Sequence, residues 1–176
     1  MISLRNLFKS APDPREARRP LWNAVVATAR APHWYVEGGV PDTLDGRFDM
    51  IGLVLALVLH RIDADPAHML DGVQLTELFV NDMDGQMRQI GFGDMVVGKQ
   101  VGRMVGALGG RLAAYRAPDG SDELSAALVR NLWRGHQPDA AGLAHVMTEV
   151  AALRGALAAM PVGTLVAADR LPGKTA

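Results

Sequence analysis

Apolar residues recur at intervals of three and four positions through most of the chain, which is the spacing of amphipathic helices. The clearest run follows Asp65 and Pro66, and its apolar positions are Leu75, Leu78, Phe79, Met83, Met87 and Ile90. No segment shows the alternation of apolar and polar residues that a half-buried strand requires. The pattern therefore predicts an all-α protein.

Capping and helix-breaking residues divide this pattern into a single-domain bundle of about six helices. The predicted helices cover residues 21–30, 48–61, 65–90, 94–116, 121–135 and 139–160, and the last four begin at the N-cap residues Asp65, Asp94, Ser121 and Asp139. Residues 31–46 are expected to form a structured loop anchored by Trp34 and Tyr35. We expect a flexible segment at 1–20, a helical domain at 21–160 and a C-terminal tail at 161–176.

The predicted helix at 48–61 is apolar on nearly every side, so it should lie at the centre of the bundle. Its longest apolar run, from Met50 to Leu59, is much shorter than the roughly 20 residues that span a bilayer. We therefore expect a soluble protein whose central helix is buried by the others.

Composition narrows the class of function. The 176 residues carry a formal net charge of -1, which lacks the basic surface that general nucleic-acid binding needs. The absence of cysteine excludes disulfides and thiolate chemistry and fits a reducing compartment, so we expect a cytoplasmic location. The N-terminus leaves two interpretations open. It is either a frayed tail or an amphipathic anchor that contacts the cytoplasmic face of the inner membrane, with Met1, Leu4, Leu7 and Phe8 on one face beside Arg5 and Lys9.

Patterns of catalysis, nucleotide binding and metal binding are missing. The sequence has no nucleophile-elbow or phosphate-loop motif, so we predict no enzyme activity and no cofactor. The segment Asp82 to Gly85 resembles the start of a calcium loop, but the twelfth position is Gly93 rather than an acid. The five histidines show no metal-ligand spacing.

Glycines follow one stripe of the predicted helix at 94–116, at Gly98, Gly102, Gly106 and Gly110. Each helical glycine costs about 0.5–1 kcal/mol relative to alanine, so close packing should offset four of them. Two interpretations remain open: another helix of this protein covers the stripe, or a helix of a partner does. Lys99 and Arg103 flank it as partner contacts or as an ordinary solvated face.

Charge is unevenly distributed along the sequence. Between positions 42 and 84 there are nine acidic residues, Asp42, Asp45, Asp49, Asp63, Asp65, Asp71, Glu77, Asp82 and Asp84, against the basic residues Arg47 and Arg61. This asymmetry indicates either ion pairs within the fold or two differently charged surfaces for partners.

Three blocks of sequence resemble the ubiquinol-cytochrome c chaperone family. They are Ala31 to Tyr35 continuing through Gly39 to Asp49, then Asn81 to Asp84, and finally Gly91 to Met104. The blocks lie within residues 31–116 in an order and spacing that are similar to the family pattern. The chain is therefore identified as a bacterial relative of the mitochondrial assembly factor for the cytochrome bc complex.

The resemblance implies an all-helical chaperone without enzyme activity, whose partner is newly made cytochrome b or its assembly intermediate. From the three blocks we predict that the partner contacts Trp34, Tyr35, Asp82, Asp84, Asp94, Gly98, Lys99, Gly102 and Arg103. Four methionines near the predicted helix junction, Met83, Met87, Met95 and Met104, would suit an adaptable apolar surface, although core packing explains them too. The alternative is a helical carrier of haem or quinone with His60 or His145 as an axial ligand.

Overall fold

Six long helices and two single-turn helices make up a computed structural model that describes residues 13–89 and 94–173. The helices are α1 (Arg19–Ala29), α2 (His33–Val36), α3 (Leu44–Asp63), α4 (Met69–Gln89), α5 (Asp94–Ala114), α6 (Asp122–Leu132), α7 (Ala140–Ala159) and α8 (Val162–Leu165). Two 3-10 turns, Pro14–Arg18 and Pro66–His68, precede α1 and α4. No strand occurs within these described ranges, so the prediction of an all-α bundle is confirmed.

Helix α3 lies at the centre of the bundle, as its apolar sequence predicts. Every residue from Asp49 to Leu59 is buried, and the helix contacts each of the other five long helices. Because no face of α3 meets solvent along this stretch, it can carry apolar side chains all round. The other five long helices pack around it.

Several predicted helix starts are confirmed by their capping contacts. The Ser121 hydroxyl accepts a hydrogen bond from the Leu124 amide at 3.1 Å, and the Asp139 carboxylate accepts one from Ala141 at 3.2 Å. Asp65 also caps, although its carboxylate accepts from Ala67 in the 3-10 turn that leads into α4. The predicted break at 91–93 and the proposed anchor within residues 1–12 lie outside the described residues.

The structure differs from the predicted pattern at three places. Helix α3 begins at Leu44 rather than at 48, because the Thr43 hydroxyl caps it by accepting a hydrogen bond from the Gly46 amide at 3.1 Å. The expected loop at 31–46 contains the single turn α2. The expected C-terminal tail contains α8 and buries Val162, Leu165, Val166 and Leu171 in the core.

Residues 31–43 are held against α7 by a close backbone approach. A Cβ atom at Gly142 would lie 2.8 Å from the Gly38 carbonyl oxygen, which leaves no room for a side chain there. Two tryptophans fix the same segment, since the Trp34 indole donates to the Thr28 carbonyl at 2.8 Å and the Trp133 indole donates to the Gly39 carbonyl at 2.9 Å.

A buried ion cluster joins α3 to α5 and to the end of α6. Asp49 is 2% exposed and forms ion pairs with Arg111 and, at 3.3 Å, with Arg134. Burial raises the pKa of Asp49, while the two guanidinium groups oppose that rise. Arg134 adopts a positive φ of 55° and also pairs with Asp45 at 3.0 Å. The cluster therefore fixes the inner side of α5 against the core.

We expect Gly142→Ala to destabilise the protein, because its methyl group would collide with the Gly38 carbonyl. The loss should be about 1–3 kcal/mol, as for other overpacked positions, and urea unfolding measures it. Gly155→Ala in the same helix is the matched control, since Gly155 is exposed and no described atom lies within 4 Å of its Cβ position. It should stabilise the protein by about 0.5–1 kcal/mol. Equal effects of the two variants would contradict the close approach.

We expect Arg111→Met to lower the free energy of unfolding more at pH 7.5 than at pH 4.5. Removing the guanidinium raises the pKa of Asp49 further, so the cost of its buried charge applies above that pKa and disappears as acidification protonates the carboxyl group. At neutral pH the loss should be about 3 kcal/mol. Arg116→Met, which breaks an exposed pair with Asp63, is the control and should cost less than about 1 kcal/mol. A loss that is independent of pH would contradict this account.

Candidate functional site

The outer side of α5 carries a surface made of glycine, which we call the glycine face. It consists of Gly98, Gly102, Gly106, Gly109 and Gly110, all of them exposed. An ideal Cβ placed on any of the five meets no described atom within 4 Å beyond its own helix. Of the two interpretations of the stripe, the one in which another helix of this protein covers it is therefore not supported by any described residue.

The opposite side of α5 explains why the glycine face points outward. Leu108 and Tyr115 are buried, and Arg111 reaches the Asp49 cluster, so these side chains set the rotation of the helix. Lys99 and Arg103 are exposed beside the glycine face, as the helical spacing predicts. Asp94 is the first residue of α5, and its side chain lies outside the described part.

The predicted contact residues of the second block have partners within the fold. The Asp82 carboxylate accepts a hydrogen bond from the Trp22 indole and pairs with Arg19 at 3.2 Å, which joins α4 to α1. Asp84 pairs with Arg88 one turn later in α4, at 2.6 Å. Asp82 thus has a clear structural role.

Trp34 and Tyr35, the predicted contact residues of the first block, are placed differently from each other. Trp34 is 2% exposed, so a partner can reach its ring only if the segment opens. Tyr35 is half-buried, and its hydroxyl donates to the Ala29 carbonyl at 2.8 Å. Burial raises the pKa of Tyr35 to about 12, so the phenol stays neutral at physiological pH.

Ion pairs within the fold account for the acidic segment at 42–84. Eight of its nine acids pair with arginines, as Asp42–Arg47, Asp45–Arg134, Asp49–Arg111, Asp63–Arg116, Asp71–Arg18, Glu77–Arg15, Asp82–Arg19 and Asp84–Arg88. The ninth, Asp65, is the N-cap described above. Six of these arginines come from outside the segment and its neighbouring residues, so the asymmetry along the sequence is largely cancelled in space.

A pocket of about 110 Å³ opens where α3, α4 and α5 meet the end of α1. Its apolar walls are Leu44, Phe48, Ile51, Met83 and Met104, and its rim includes Arg30 and Arg47. We call it the Met83–Met104 pocket. Residues from all three family-like blocks line it, although the blocks are far apart in sequence. Met87 and Met95, the other methionines of the predicted group, have side chains outside the described part.

Sequence reasoning missed most of this pocket. Arg30 ends a helix, and Phe48 and Ile51 read as ordinary core positions in an apolar run. The available signal was that Phe48, Met83 and Met104 each fall inside or at the end of a family-like block. Their meeting point follows only from the way that α3, α4 and α5 pack together.

The histidines of the predicted haem alternative make contacts within the fold. The His60 imidazole donates from Nε2 to the Leu112 carbonyl at 2.8 Å, and burial lowers the pKa of His60. Nε2 of His145 lies 3.1 Å from Nδ1 of His33. Within residues 13–89 and 94–173, no three His, Cys, Asp or Glu side chains are grouped as metal ligands. In the same ranges, no helix combines the length and hydropathy needed to cross a membrane.

Comparisons with known proteins agree with the sequence blocks. The family model described as ubiquinol-cytochrome C chaperone matches residues 36–170. A crystal structure of the Cbp3 homolog from Brucella abortus is 29% identical, with a TM-score of 0.76, over 89% of this chain and 88% of that chain. A comparison with curated proteins finds no significant match. Because the family model covers well over half of the sequence and the fold agrees along nearly its whole length, the chain belongs to the ubiquinol-cytochrome c chaperone family.

Proposed function

We propose that this protein is an assembly chaperone of the cytochrome bc complex and that it acts by holding newly made cytochrome b. Family membership supports the first part. The glycine face on α5 is the observation that carries the second part, because it is a helix surface suited to another helix and left open by the described residues. Binding, rather than a chemical reaction, is the proposed activity.

The glycine face suits a transmembrane helix for a geometric reason. Small residues at four-residue spacing let two helix backbones approach closely, which is how many membrane helices associate. Four glycines in place of alanine cost α5 about 2–4 kcal/mol in helix propensity. A client helix lying on Gly98 and Gly102 would recover that cost by contact, and Lys99 and Arg103 would meet its polar flank.

The deeper residues of the predicted site have a supporting role in this proposal. Trp34 and Asp82 hold the segment at 31–43 and α4 in place, since each makes hydrogen bonds inside the fold. Tyr35 and Asp84 lie nearer the surface and remain proposed contacts. The alternative of a haem or quinone carrier is less favoured, because His60 and His145 each engage a ring nitrogen within the fold, with the Leu112 carbonyl and with His33.

Affinity capture of cytochrome b from native membranes tests the glycine face. Gly102→Leu should fold normally, because its Cβ position is open, yet it should reduce recovery of cytochrome b at least tenfold by blocking close approach. Lys99→Glu with Arg103→Glu should do the same while leaving the melting temperature close to that of wild type, since both side chains are exposed.

The matched control for this experiment is Gly155→Leu, an exposed helical glycine on α7 with an equally open Cβ position. It should capture cytochrome b as wild type does. If the α5 variants fold and also capture cytochrome b as wild type does, the glycine face is not the contact. If wild type recovers no cytochrome b, the proposed client is wrong.

Deleting the protein should lower assembled cytochrome bc complex and its haem b, because an unprotected client is lost before maturation. Haem b absorbance in isolated membranes measures this, and soluble enzymes of the same strain serve as the control. Complementation with wild type should restore the signal, whereas Gly102→Leu should not. Normal haem b spectra in the deletion strain would contradict the assembly role.

A further inference from the structure

The Met83–Met104 pocket borders the inner side of α5, away from the glycine face, because helical spacing places Met104 on the same side as the buried Leu108. Its floor is fully apolar: Ile51 and Met83 are each 2% exposed, and Phe48 and Met104 are half-buried. At its mouth, Leu44 is 55% exposed. The apolar surface that the opening exposes therefore belongs mainly to Leu44, Phe48 and Met104, above a buried floor.

The size of the pocket limits what can enter it. An engineered apolar cavity of about 150 Å³ holds benzene, so a volume of 110 Å³ suits a branched aliphatic group of about four carbons. Methionine side chains are unbranched and flexible, so Met83 and Met104 can adjust to leucine, isoleucine or valine. A whole haem or quinone ring would not fit.

The rim of the pocket has one cation available to a partner. Arg47 is paired with Asp42 at 2.5 Å, and Asp45 is paired with Arg134 at 3.0 Å. In contrast, no carboxylate of the described residues lies within 4 Å of the Arg30 guanidinium, although Arg30 is exposed at the end of α1. A single cation matches one carboxylate better than it matches an anionic membrane surface, which calls for several basic residues.

We propose that the pocket anchors one aliphatic side chain of the client and that Arg30, which lines the same pocket, pairs with a carboxylate beside that side chain. Arginine is enriched among the residues that contribute most to binding at protein interfaces, and an apolar side chain seated in a pocket can anchor such an interface. The identity of the client rests on the proposed function above, whereas the chemistry of the pocket does not. The glycine face can distinguish clients only by the shape of a helix. The pocket would thus add selectivity for particular side chains of the client.

A fragment experiment tests the chemistry without cytochrome b. The probe is N-acetyl-L-leucine, which joins an isobutyl group to a carboxylate, and the signals are the NMR resonances of the Met83 and Met104 methyl groups in protein labelled at methionine. We expect saturable shifts at both methyl groups. N-acetyl-L-leucinamide, which lacks the carboxylate, should bind at least fivefold more weakly, and N-acetylglycine, which lacks the side chain, should cause no shift.

Two variants and one control test whether the fragment binds in the pocket. Arg30→Gln should reduce the affinity for N-acetyl-L-leucine to that of the amide, and Ile51→Phe should abolish the shifts by filling the floor. Arg130→Gln is the matched control, because Arg130 is also an exposed arginine and it lines a different pocket. Equal shifts with N-acetylglycine, or none with N-acetyl-L-leucine, would overturn the proposal.

Capture of cytochrome b then tests whether the pocket contributes to binding of the client. Arg30→Gln and Ile51→Phe, each checked to be folded by circular dichroism, should recover at least fivefold less cytochrome b than Arg130→Gln. If wild type captures cytochrome b and both pocket variants do so equally well, the inference fails while the proposed function stands. If wild type captures no cytochrome b, the proposed function is wrong and cytochrome b is not the client. The fragment experiment still determines whether the pocket binds an aliphatic group beside a carboxylate.

Discussion

The burial of α3 on every side is the constraint on which the rest of the structure depends. A helix that meets no solvent from Asp49 to Leu59 needs five neighbours, and each of the other long helices supplies one apolar face. Asp49, the one acid that is buried among the described residues, then requires cations, which Arg111 and Arg134 supply from α5 and from the end of α6. That requirement fixes which side of α5 faces inward.

The orientation of α5 explains how this helix can be held firmly in the fold while its glycine face stays uncovered by the described residues. Leu108, Arg111 and Tyr115 hold its inner side, so its outer side is free to carry residues that contribute nothing to the fold. Glycine at those positions lowers helix propensity without creating a collision or a cavity. A surface that weakens its own helix and touches no described part of the chain is more easily explained by a partner than by folding.

Helix existence and the central place of α3 could be predicted because they follow from local spacing and capping, as at Ser121 and Asp139. Features that depend on a contact between distant segments could not. Asp82 appeared in the sequence as a surface acid of a family-like block, yet it joins α4 to Trp22 and Arg19. The acidic segment looked like a charged surface because its arginine partners are remote in sequence.

The same limitation accounts for the candidate site. Helical spacing alone placed the glycines on one stripe, but only the rotation set by the Asp49 cluster determines that the stripe faces outward. To predict the pocket, one would have to know how four helices pack together, because Arg30, Phe48, Met83 and Met104 come from four different helices or helix ends. The glycine face would accept any helix of suitable shape, whereas the pocket, with no described carboxylate paired to Arg30 at its rim, would accept few. Under the proposed function, selection of the client would therefore depend on the pocket, which sequence patterns reveal least.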